Sequence, residues 1–174
     1  MIRLFTPDLY VKSFMDIDIQ KLVKMNKKLI ICDIDNTLVA HDMSLPSDKA
    51  KQFVENVLAS GLQICLISNN HKERVETFAK ALGIHRYSFA KKPIKWTYRK
   101  ILKDYAMKAE DVVAIGDQLL TDVLGAKRMK IYAILTSPLV DRDLNSTKIN
   151  RKIERRIYKR LENRGILKRG VFNE

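Results

Sequence analysis

The sequence predicts an α/β protein with a doubly wound parallel sheet, a three-layer α/β/α arrangement with helices on both faces. Three observations carry that expectation. Apolar runs of strand length alternate with helical patterns after residue 28. The runs end in polar or glycine-containing turns, and 174 residues with 46% hydrophobic content can enclose one domain core.

The runs place strands near 29–33, 62–67, 86–89, 112–116 and 131–135. Continuous apolar stretches suit parallel strands, which are covered on both faces. Between the first two, Ser47 or Ser44 caps a helix with Phe53, Val54, Val57 and Leu58 on one face, and Gly61 stops it. A second helix runs from His71 to Leu82, with Val75, Phe78, Ala79 and Leu82 inward and Gly83 as its stop. Pro93 opens a third, bearing Trp96, Ile101, Leu102 and Tyr105. A fourth spans about Leu119 to Met129 and contains Gly125, which either weakens it or permits close packing.

The two ends read differently. Leu4, Phe5, Leu9, Tyr10, Val11 and Phe14 make the first residues too apolar for a tail, so that segment is expected to drape on the domain before a short helix from about Asp18 to Met25. At the far end Ile149, Ile153, Ile157 and Leu161 recur every four residues among Arg151, Lys152, Arg155, Arg156, Lys159 and Arg160. The expected organisation is one domain over 1–174, with a catalytic core at about 28–140, an apolar extension at 1–27 and a basic helical tail at 141–174.

Net charge is +13, and residues 141–174 hold eleven basic against five acidic groups. Such a tail suits nucleic acid, an anionic membrane or an acidic protein equally, and its blandest reading is a solvated helix face. No apolar stretch approaches the ~20 residues that span a bilayer, and the first residues lack a signal-peptide layout, so a cytoplasmic location is expected. Cys32 and Cys65 lie in apolar strand-like runs and read as reduced core thiols. His41, His71 and His85 have no metal-ligand spacing.

The chemistry concentrates at strand ends. LIICDIDNTLV places Asp33, Asp35 and Thr37 at the carboxyl end of an apolar strand, where ligands gather in open α/β sheets and where adjacent carboxylates repel unless a cation or phosphate chemistry uses them. Three further polar elements follow strands in order: Ser68-Asn69-Asn70, Lys91-Lys92-Pro93, and Gly116-Asp117-Gln118-Leu119-Leu120-Thr121-Asp122. One such element alone fits a cap or turn; four in register with strand ends do not fit core packing.

With these elements the sequence resembles the haloacid dehalogenase superfamily of aspartate-nucleophile phosphatases over roughly residues 28 to 136. FTPDLYVKS near the start and the AKKP step resemble the YqeG-type phosphatases of its subfamily IIIA, a group related to mitochondrial phosphatidylglycerophosphate phosphatase. The resemblance implies catalytic roles for Asp33 as nucleophile, Asp35 as acid and base, and Lys92 as the neutralising cation. It implies phosphate contacts from Thr37, Ser68, Asn69 and Lys92, and Mg²⁺ held by Asp33, Asp35 through its carbonyl, and Asp117. Asp122 is either an indirect metal partner or a helix-start carboxylate. Lys91 competes with Lys92, and the position directly before proline favours Lys92.

Asp33 to Ser68 spans 35 residues and Ser68 to Lys92 spans 24, each used by one helix, a strand and loops, so no inserted cap domain is expected. An open site suits a phosphate presented by something large. The resemblance implies phosphatidylglycerophosphate, hence an anionic lipid head group and peripheral contact with the inner face of the membrane through the basic tail and the apolar first segment. The alternatives are a non-lipid phosphate ester, or a basic protein associated with nucleic acid or the ribosome. The tail's isoleucines pack equally well on the protein's own sheet.

Overall fold

The computed structural model describes residues 2–140 and 148–173. Six strands form one wholly parallel sheet: β1 (Leu9–Val11), β2 (Leu29–Cys32), β3 (Gln63–Ile67), β4 (His85–Tyr87), β5 (Val112–Gly116) and β6 (Tyr132–Thr136), in the order β1-β6-β5-β2-β3-β4. Helices α1 (Ile19–Lys24), α2 (Asp48–Ala59), α3 (Lys72–Leu82), α4 (Lys95–Asp104), α5 (Leu124–Arg128) and α6 (Lys148–Glu162) complete it. The doubly wound expectation holds, and only α2 lies between β2 and β3 and only α3 between β3 and β4, so no cap domain interrupts them.

Alternation along β2 divides the core. Ile30 and Cys32 face Leu22 of α1, Phe53, Val54 and Val57 of α2, and Val75 and Phe78 of α3. Leu29 and Ile31 face the other layer, with Tyr98 and Ile101 of α4, Ala126 of α5, and Ile157 and Leu161 of α6. Cys32 and Cys65 are buried, free and in opposite layers.

Local signals explain most boundaries. Ser47, not Ser44, caps α2 by accepting the Ala50 N–H at 3.2 Å, and Asp18 caps α1 through Lys21. Gly83 closes α3 at φ 67°, a left-handed turn that glycine adopts without a Cβ penalty. Gly125 permits close packing: a Cβ there would stand 2.7 Å from the Tyr98 ring, so its absence lets α5 settle onto α4. Leu58 and Trp96, which follow the apolar patterns of their helices, are exposed.

The first segment lies on the domain, with Ile2 and Phe5 packed against the core, and is also built into its sheet. It supplies β1, which pairs with β6, while the Asp8 carboxylate accepts the Ala133 N–H at 2.8 Å and pairs with Lys127 at 2.7 Å. Asn173 covers the free edge of β1, accepting the Tyr10 N–H on its side chain and donating its own N–H to Tyr10 O. Tyr10, Val11 and Phe14 are buried. The chain's far end folds back likewise: Ile157, Leu161 and Leu167 are buried, while Ile153 stays exposed. Residues 141–147 and the side chains of Ile149 and Arg151 lie outside the described residues.

Leu161 is fully buried, so Leu161→Ala is expected to cost about 2–5 kcal/mol in urea denaturation. An unchanged midpoint would show that α6 does not belong to the core.

Candidate active site

The register of the central strands builds the site. Cys32 sits opposite Leu66 of β3 and Ile115 of β5, so the residues that follow emerge at one edge of the sheet. Here the chain leaves β2 in one direction and β5 returns on its other side, the switch point at which doubly wound sheets open a crevice.

Asp33 continues the strand, its N–H donating to Ile115 O at 2.9 Å, and its side chain is almost fully buried. A tight turn follows, in which the N–H groups of Thr37 and Leu38 donate to Ile34 O and Asn36 takes φ 60°. The turn brings the Thr37 hydroxyl back to Asp33 Oδ2 at 3.2 Å. Lys92 Nζ donates to the other oxygen, Oδ1, at 2.5 Å and to Asp122 Oδ1 at 2.6 Å.

Lys92 reaches this point because its loop is fixed from β3. The Asn69 side chain accepts the Lys92 N–H at 2.7 Å and donates to Lys92 O at 3.2 Å, so both ends of its amide are engaged with backbone. Lys91 is exposed, so Lys92 is the lysine of the two that enters the crevice. Ser68 is buried, accepts the Asn70 N–H at 3.0 Å and donates to Asp35 Oδ2 at 3.4 Å.

The third wall follows β5. A π-helical turn, Leu119–Val123, widens the chain's path and folds Asp122 back over Gly116, where a Cβ would lie 2.3 Å from the Asp122 carboxyl carbon. Asp122 Oδ2 accepts the Gln118 N–H at 3.1 Å. Asp117, between these residues, presents two buried carboxylate oxygens with no hydrogen-bond partner.

Two buried carboxylates, Asp33 and Asp122, thus share one ammonium, and Asp33, Asp117 and Asp122 each bring an oxygen within 4.8 Å of the others. Burial pushes Asp33 up to about 7, with Lys92 opposing and Asp122 and Asp35 adding. Burial, then Asp33 and Asp122, hold Asp117 well above the usual carboxylate range. For Lys92 burial works against the charge, yet Asp122 and Asp33 prevail and its pKa is raised. A cluster with this surplus of negative charge and two orphaned carboxylate oxygens fits a hard divalent cation with oxygen ligands.

Asp35 stands apart from that cluster. Its Oδ1 accepts Nη2 and Nε of Arg74 at 2.7 and 3.2 Å, and its Oδ2 faces Ser68 and Asn70. Arg74 was not among the sequence candidates. A cation in the first turn of α3, where the helix dipole favours anions, was the available signal. Glu154 of α6 was also missed: it is buried and its Oε1 accepts the Leu120 N–H at 3.0 Å, steadying the π-helical turn. Its signal was a lone acid among the bases of 148–160. The histidines take no part; His71 and His85 are exposed and stack edge-on with Phe89 and Tyr87.

Fold and site together define an α/β enzyme whose crevice is arranged to hold a cation beside an anionic group. The chain matches the haloacid dehalogenase-like hydrolase family over residues 39–130, a stretch that begins just beyond the Asp33 turn. It is 38% identical over 163 residues to a Bacillus subtilis protein named "Probable phosphatase YqeG", covering 94% of this chain and 95% of that one. Among solved structures, an uncharacterized protein from Listeria monocytogenes matches with TM-score 0.54 and 21% identity over 67% of this chain and 84% of its own. The cobalt-bound deoxy-D-mannose-octulosonate 8-phosphate phosphatase of Haemophilus influenzae matches with TM-score 0.54 and 16% identity over 84% and 92%. These two likenesses concern the fold alone. The chain belongs to the haloacid dehalogenase-like hydrolases, and its class is that of the phosphoric monoester hydrolases.

The raised carboxyl pKa values have a measurable consequence. An acid that binds its proton more tightly when folded than its unfolded value of 3.8 allows gives stability at low pH that is lost as pH climbs toward the folded value. In chelator, the melting temperature is therefore expected to fall between about pH 5 and pH 8, and Mg²⁺ should restore it at the upper end. A melting temperature indifferent to both would contradict this charge balance.

Proposed function

We propose that the protein is a Mg²⁺-dependent phosphatase that works through an aspartyl-phosphate on Asp33 and acts on phosphatidylglycerophosphate at a membrane surface. The observation that carries the reading is the division between two carboxylates two residues apart: Asp33 is buried against Lys92 and beside the unpartnered Asp117, whereas Asp35 faces the β3–α3 loop.

Asp33 and Asp117 would hold the metal, joined through the resemblance by the Asp35 carbonyl, and Asp122 stands behind them through Lys92. Bound there, the ion supplies positive charge between a carboxylate nucleophile and a phosphate dianion. In the first step an Asp33 oxygen attacks phosphorus, the ester P–O bond breaks, and Asp35 gives its proton to the departing alcohol oxygen. In the second, Asp35 takes a proton from water, whose oxygen attacks phosphorus and frees the Asp33 carboxylate and inorganic phosphate. Thr37 fixes the nucleophile by its hydrogen bond, and Lys92 offsets charge on the phosphoryl oxygens. Ser68, at the loop leading into α3, supplies a hydroxyl to the same oxygens. Asn69, read from sequence as a phosphate contact, acts here by holding the Lys92 backbone.

The substrate class rests on the resemblance and on the uncapped crevice. No helix among the described residues is long and apolar enough to cross a membrane, and the lipid contact of this reading is peripheral. Release of phosphate from phosphatidylglycerophosphate vesicles is expected with Mg²⁺ and not with chelator, and Asp33→Asn should lower it by about a thousandfold or more. Turnover of an aryl phosphate without turnover of the lipid would remove the lipid assignment and keep the phosphatase. Asn69→Ala should reduce kcat by about tenfold or more while leaving the melting temperature within a few degrees; unchanged kcat would discard its positioning role.

A further inference from the structure

The loop that delivers Lys92 also carries an exposed surface that the chemistry does not use. Within eight residues Phe89, Ile94 and Trp96 are 53%, 52% and 68% exposed. The backbone displays rather than hides them: Phe89 and Lys91 take left-handed φ values of 48° and 51° and point outward, while Ala90 and Lys92 between and after them are buried. A bulky side chain at such φ is uncommon and is kept where the surroundings impose it; here the Phe89 N–H donates to Asn70 O and the His71 ring stands edge-on to the Phe89 ring.

The segment that carries this surface has charge of one sign. From Arg86 to Lys103 the chain contains no acid. Arg86 pairs with Glu76, Lys100 with Asp104, and Lys92 with the buried aspartates. Lys91, Lys95 and Arg99 have no ion pair among the described residues. Because α4 runs back from the sheet's carboxyl edge, its first turn, with Lys95 and Trp96, lies at the same edge as the crevice.

We infer that Phe89, Ile94 and Trp96, with Lys91, Lys95 and Arg99, form a surface that docks the enzyme on an anionic lipid interface, the aromatic and aliphatic side chains entering it and the cations meeting lipid phosphates. An aromatic pair with an isoleucine suits the boundary between head groups and acyl chains, and cations beside it select anionic lipid. The aliphatic Ile94 gives no advantage on a nucleic-acid backbone. Docking here turns the crevice toward the interface and moves the membrane contact away from the tail and first segment, whose apolar residues Tyr10, Val11, Phe14, Ile157 and Leu161 are occupied in the core. The inference deepens the proposed lipid-phosphate reading and rests on it for its biological sense, but its test does not require that substrate.

Trp96 is the sole tryptophan, so intrinsic fluorescence reports this surface directly. With vesicles of phosphatidylglycerol and phosphatidylcholine, which carry no phosphomonoester, the emission maximum is expected to shift to the blue. Pure phosphatidylcholine should give little shift, and high salt should weaken the response. Phe89→Ser with Ile94→Ser should lower vesicle partition by about tenfold or more and leave aryl phosphate turnover unchanged. Emission that stays fixed with anionic vesicles overturns the inference, as does emission moved by an RNA oligonucleotide and not by vesicles. A shift without lipid turnover upholds the docking surface and removes the proposed substrate; lipid turnover in detergent without a shift does the reverse.

Discussion

One ammonium group holds the site together. Lys92 Nζ lies between Asp33 and Asp122, carboxylates that leave different strands and would otherwise repel each other in a buried crevice. Taking three carboxylates out of water is costly, and the cost is tolerable only where charge is matched and the remaining oxygens have a partner. Lys92 matches part of it. Asp117, with both oxygens unpartnered, leaves negative charge that fits a cation.

Much of the surrounding structure serves to place that ammonium and its partners. Asn69 clamps the backbone of Lys92 from the neighbouring strand, and the lack of a side chain at Gly116 leaves room for Asp122 to turn back. The π-helical turn that carries Asp122 is in turn held by Glu154 from α6. A helix that looks like an appendage from its charge is thus connected to the catalytic edge, and its buried face seals the layer containing Tyr98 and Ile101. The Asp35 side chain is kept outside this arrangement by Arg74, which separates the two carboxylates of one short turn into different surroundings.

The central strands and α2 and α3 were legible because their signals are local: continuous apolar runs, a capping serine, a left-handed glycine. The aspartates, Ser68 and Lys92 were legible because each follows such a run. The three-residue β1 was not, since a strand that short has no readable period and exists only because β6 offers an edge and Asn173 closes the other side. Trp96 followed the helical pattern of α4 yet faces solvent, because period alone does not say which part of a first turn meets the sheet. Arg74 and Glu154 escaped for a related reason: their partners, Asp35 and the Leu120 amide, are 39 and 34 residues away in sequence.

By itself the sequence determined the doubly wound class, the family and the order in which polar groups reach the strand ends, since periodicity, turn chemistry and motif spacing are written along the chain. Only the tertiary structure decided which oxygen meets which donor: that Lys92 rather than Lys91 enters the crevice, that Asn69 holds a backbone, that Asp117 is left unpartnered, and that Phe89, Ile94 and Trp96 remain outside. Those outcomes depend on distances between segments far apart in sequence, and such distances exist only once the sheet has fixed its register and the helices have closed its two faces.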